Sequence, residues 1–168
     1  MKRISLLVLV LLACFLTSCE SNKSDLQDLD KLRSEYWKGD INNQEKAKQL
    51  DKAYKKYILE NPNDTNNPTF LYESADLNIK AFNNINEGLK LFEQVFTKYP
   101  QHHRAPDALF TTAFMHETVT GNMAKAKSYY SEFLEKYPQH HLAADARKTL
   151  EYWDNPEEML KNILEQNR

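Results

Sequence analysis

The hexapeptide Lys98-Tyr99-Pro100-Gln101-His102-His103 occurs again, letter for letter, as Lys136-Tyr137-Pro138-Gln139-His140-His141, thirty-eight residues further along the chain. A weaker third copy lies upstream. Thirty-eight residues before Pro100 stands Pro62, in Glu60-Asn61-Pro62-Asn63, and the same step joins Pro68 to Pro106, so five of the six prolines obey one period. Self-similarity at a fixed step of this length is the mark of stacked structural units, none of which can bury its apolar face alone.

The units are expected to be helical. The 168-residue chain has only three glycines, is rich in Ala, Leu, Lys, Glu and Gln, and with 41% hydrophobic residues can bury a core. A first helix is expected from Ser24 or Asp25 to about Gly39, with Leu26, Leu29, Leu32 and Tyr36 at helical spacing, and a second over 43–60. Regular pairs then follow at 68–81 and 85–99, and at 106–119 and 123–137. Superposing the prolines aligns Leu50, Gly88 and Ala126, then Tyr54, Phe92 and Tyr130, then Tyr57, Val95 and Phe133. Steps of four and three put these residues on one helical face.

Residues 61–67 read as a turn, with Asn67 capping the helix that Pro68 opens. As a calcium loop the segment fails, because Asn66 stands where glycine is needed and Tyr72 where a bidentate glutamate is needed. Ala143, Ala146, Leu150 and Trp153 form one more first helix, with Arg147 and Lys148 in the places that Leu109 and Phe110 hold one period earlier. A polar outer face suits a terminal unit. Asn155-Pro156 then starts a last helix carrying Met159, Leu160, Ile163 and Leu164 over the final repeat.

The amino terminus reads as a targeting segment. Lys2 and Arg3 precede an apolar run from Ile4 to Leu16, too short to span a bilayer, and Leu16-Thr17-Ser18-Cys19 follows directly. This resembles the bacterial lipobox. The resemblance implies a signal peptide over 1–18, a lipid-modified Cys19 with a tether to residue 24, and a folded body over 25–168; Cys14 is a poorer acceptor, since it leaves a shorter apolar run. Cleavage there leaves Cys19 as the single cysteine, so no disulfide is expected.

Composition also limits the chemistry. A net charge of −2 offers no basic footprint for nucleic acid, and loss of Lys2 and Arg3 makes the balance more acidic. The pairs His102-His103 and His140-His141 sit one repeat apart, so one ion could hardly gather them, and they are read as exposed turn residues with no metal site. His116-Glu117 begins like a zinc-protease motif, yet no second histidine stands at position 120. Neither a phosphate loop nor a nucleophile elbow is present, so no cofactor and no catalysis are expected.

Gly121, Ala126, Tyr130, Phe133 and Pro138 resemble the second half of a tetratricopeptide repeat, and Phe110, Ala113 and Phe114 the first half. Residues 69–100 match less fully: Asn83 replaces the turn glycine and Gly88 the helix alanine, and the period exceeds the family's. With the lipobox, the chain is similar to small tetratricopeptide lipoproteins of bacterial envelopes, including those of the β-barrel assembly machinery and the Tol-Pal system. That resemblance implies an all-α solenoid of about three helix pairs plus a C-terminal capping helix. It further implies a groove lined by Phe70, Glu73, Leu77, Lys80, Thr111, Met115, Thr118, Thr149 and Trp153, suited to a peptide or helix of another envelope protein. The expected role is a membrane-anchored adaptor at the periplasmic face of the outer membrane. The alternative is a surface-exposed lipoprotein that captures a glycan or nutrient, to which Glu20 after the cysteine lends some weight.

Overall fold

The computed structural model describes residues 24–157, together with 161, 164 and 165. The expected signal peptide, Cys19 and most of the last expected helix therefore lie outside the described residues. Helix α1 spans residues 24–37. It is followed by α2 (Gln44–Glu60), α3 (Asn67–Lys80), α4 (Ile85–Lys98), α5 (Arg104–Thr118), α6 (Met123–Lys136) and α7 (Ala143–Asp154). Among the described residues there is no strand, and no helix is long and apolar enough to cross a membrane. From α2 to α7 each helix packs on its successor, and α3 also meets α5, its equivalent one repeat later. The fold is the expected all-α solenoid of helix pairs.

The thirty-eight-residue period is built into the turns between pairs. At the start of each turn the amide of Asn61, Tyr99 or Tyr137 closes the preceding helix onto Tyr57, Val95 or Phe133 at 2.8, 3.0 and 2.8 Å. Three residues on, Asp64, His102 and His140 accept through their side chains the N–H of the residue two further along: Asn66 at 2.7 Å, Arg104 at 3.2 Å and Leu142 at 3.4 Å. A histidine Nδ1 thus replaces an aspartate oxygen in one recurring local bond. The first histidine of each pair is consequently half-buried, while His103 and His141 are exposed as expected. Asn67 is not a cap: it lies inside α3, fully buried, and its amide donates to Asn61 O at 2.6 Å.

Within pairs, the second helices start alike. Asn43, Asn84 and Asn122 cap α2, α4 and α6 by accepting the amides of Lys46, Glu87 and Lys125. Just before two of these caps, Asn83 and Gly121 hold positive φ of 52° and 66°. Glycine and asparagine reach that region most readily, which explains the exchange between repeats.

The aligned core positions are buried: Leu50, Gly88 and Ala126, Tyr54, Phe92 and Tyr130, Tyr57, Val95 and Phe133 all point inward. Gly88 lets α3 approach α4. A Cβ there would come within 2.4 Å of Ile79 Cγ1 and 3.1 Å of Ala75 O. A main core runs from α3 to α7, and a second, smaller one joins Leu29 and Tyr36 of α1 to Ala47, Leu50, Tyr54 and Tyr57 of α2 and to Phe70 and Leu77 of α3.

Candidate functional site

That second core decides where the expected groove begins. Phe70 and Leu77 are 2% and 1% exposed, covered by α1 and α2, with Phe70 stacked on Tyr54 at 5.2 Å. They serve packing rather than a groove. The reason is α1 itself, which stands out of register with the repeat: thirty-eight residues before Pro68 lies Asp30, in the middle of this helix.

Glu73, on the same face, is also taken up internally. Arg33 of α1 donates to it from Nε at 2.6 Å and from a terminal nitrogen, Trp37 donates from Nε1 at 3.2 Å, and the Tyr54 hydroxyl donates as well. Four donors thus satisfy the oxygens of this buried carboxylate. The pair raises the Arg33 pKa, while burial first and Glu73 second raise that of Tyr54. Beside the cluster, Asp30, Arg33, Ser34, Trp37, Lys38 and Glu73 line an open recess of about 450 Å³. Sequence reading missed Arg33 and Trp37, since repeat alignment carries no information about a helix outside the repeat.

The remaining expected residues lie further along. Lys80 is exposed and paired with Asp76 at 2.9 Å. Thr111 is half-buried and Thr118 exposed, its hydroxyl donating to Phe114 O at 2.8 Å. Met115 is 9% exposed, and Thr149 and Trp153 are half-buried. Trp153 joins Met123, Ala124, Lys127, Tyr152 and Pro156 around a second recess of about 500 Å³.

Two aromatics that sequence reasoning did not propose are the largest apolar groups on these helices left open to water. Phe114 of α5 is 47% exposed and Tyr152 of α7 is 50% exposed. They hold equivalent places one period apart, where α3 has Asp76. Phe110, by contrast, packs on Tyr130 and Phe133 at 5.4 Å from each. Similar exposure at equivalent places on α5 and α7, with Thr111 and Thr118 flanking Phe114 on its own helix, makes a repeated aromatic-and-hydroxyl surface that suits a protein or peptide partner.

The segment carrying Phe114 is also the one that can be recognised from outside. Residues 107–140 match the tetratricopeptide repeat family. The match begins in the first turn of α5, covers α6 and ends at His140 in the following turn, so it takes in one helix pair. No curated protein matches the chain. With its stacked pairs, the described body is a tetratricopeptide-like α-solenoid, an architecture of protein–protein interaction. The tetratricopeptide match also places Asp107 in the same unit as His140, and the fold brings the two together: Asp107 Oδ1 lies 3.6 Å from His140 Nε2, with His141 alongside.

Proposed function

We propose that this protein is a membrane-anchored adaptor of the bacterial cell envelope, holding another envelope protein against the exposed faces of α5 and α7. The tetratricopeptide match over residues 107–140 carries this reading, because repeats of that kind present helical surfaces to protein partners. Phe114 and Tyr152 supply rigid aromatic anchors of the type that dominates such contacts. Thr111, Thr118, Thr149 and Trp153 remain as the flanking surface, with Lys80 at its far edge, whereas Met115 is buried in the packing of α5 and drops out of it.

The anchor rests on the lipobox-like Leu16-Thr17-Ser18-Cys19, which makes Cys19 the lipidated residue and the outer membrane's periplasmic face the expected place. A tether of a few residues at roughly 3.3–3.6 Å each holds the solenoid close to the bilayer. The role is binding, and no reaction is assigned.

The test has two parts. Cys19→Ser is expected to abolish incorporation of labelled fatty acid and to release the protein from membranes; persistent labelling would defeat the anchor. Protease added to intact cells is expected to leave the protein whole, and shaving would place it on the outer surface instead.

A further inference from the structure

We propose that Asp107, His140 and His141 form a binding site for a borderline divalent cation of the Zn²⁺ class. Their ligating atoms all lie within 4.8 Å of one another, although thirty-three residues separate the aspartate from the first histidine. When bonds of ~2.0–2.1 Å meet at a tetrahedral angle, ligand atoms stand roughly 3.3 Å apart, so only a small closure is required. Two imidazoles with one carboxylate suit Zn²⁺, Ni²⁺ or Cu²⁺, whereas Ca²⁺ and Mg²⁺ take oxygen ligands.

Each inner residue is oriented by a neighbour. The second carboxylate oxygen of Asp107 faces Arg104 at 3.9 Å, and Arg104 lies over the Tyr72 ring at 4.9 Å. His140 stands edge-on to Phe133 at 5.6 Å and beside the His141 ring at 4.2 Å. Such support around the ligands is what holds a metal site in shape.

The preceding turn supplies an internal comparison. His102 and His103 repeat the same pair with the same ring separation of 4.2 Å, but Thr69 occupies the place of Asp107. Without the carboxylate, that turn lacks a third ligand of the same strength. Affinity is therefore expected at one turn and not at its near-copy.

Binding also predicts a tautomer change. Leu142 N–H reaches His140 Nδ1 at 3.4 Å, which puts the neutral ring's proton on Nε2, facing Asp107. A cation on Nε2 requires that proton on Nδ1 instead, at the expense of the long Leu142 bond. The ring keeps one proton throughout.

The full-length protein in detergent, titrated with Zn²⁺ by calorimetry, is expected to show one saturable site. Asp107→Asn and His141→Ala should each weaken it at least tenfold, while His102→Ala/His103→Ala should change it less than twofold. In ¹⁵N-labelled protein, Zn²⁺ should move the His140 ring proton from Nε2 to Nδ1 and shift the Leu142 amide resonance. Circular dichroism checks that each variant folds; if Asp107→Asn loses helix, the exposed His141→Ala decides. No saturable binding, survival of binding in His141→Ala, or equal loss in the His102/His103 variant would overturn the site.

Discussion

Arg33 and Glu73 lock the first helix to the solenoid: a guanidinium from a helix outside the repeat meets the carboxylate at a place where the repeat would otherwise present a groove. Trp37 and Tyr54 complete the shell around the same carboxylate. Arg33→Ala leaves a buried anion short of its charged partner and is expected to cost about 3 kcal/mol. The partnered change Arg33→Met/Glu73→Gln should cost clearly less than the sum of its single changes. Denaturant unfolding of the four proteins measures the coupling, and additive losses would show that the pair contributes nothing of its own.

Ile79 and Gly88 form the second test. A methyl group at 88 must displace Ile79, so Gly88→Ala is expected to cost on the order of 1 kcal/mol, after the roughly 1 kcal/mol gained from helix propensity is set against overpacking. In an Ile79→Ala background the side-chain clash is gone and only the 3.1 Å approach to Ala75 O is left. There the same substitution should cost clearly less, and an equal loss of melting temperature in both backgrounds would contradict the close approach of α3 to α4.

What was legible in the sequence was whatever the duplication copied. Leu50, Gly88 and Ala126 could be placed in the core because three versions of one helix face could be superposed, and the fold confirms them. Phe70 and Leu77 could not be placed correctly, since transferring groove positions assumes a regular unit before the first, and α1 is out of step. Phe110, Ala113 and Phe114 were matched together to the large and small positions of the repeat's first half, yet Phe110 packs on Phe133 while Phe114 lies open to water. The turn role of His102 and His140 had a signal that went unread: Asp64, a residue that favours such turns, stands at the same step of the period.

Those turns make stability depend on pH. Burial is the main cause lowering the pKa of His102, His116 and His140 from the ordinary 6.5 in the folded chain. A base depressed by folding binds more protons when unfolded, so its contribution is intact above 6.5 and is lost as pH falls through that value toward the folded pKa. The melting temperature should therefore drop between pH 7.5 and pH 5. His102→Asn/His140→Asn keeps an acceptor for Arg104 and Leu142 but removes two titrating groups, and it should flatten the drop in part, His116 retaining its share. An unchanged slope would mean that these histidines titrate alike in both states.

The last prediction separates folding from binding on a single helix pair. Phe133 is fully buried and meets Phe110 at 5.4 Å, so Phe133→Ala should cost about 3–5 kcal/mol, as aromatic truncations in cores do. Phe114 lies half open to water on the same pair, and Tyr152 holds its equivalent on α7. Their replacement by serine removes no packed core group and should shift stability by no more than about 0.5 kcal/mol each. If they anchor a partner, each change should weaken the complex about fivefold or more, the effect of losing roughly 1 kcal/mol at a contact centre. Affinity and melting temperature measured on the same preparations decide the matter: Phe114→Ser and Tyr152→Ser that bind like the parent would take the partner surface away from α5 and α7, leaving the recess beside Trp37 and Arg33 as the next face to mutate.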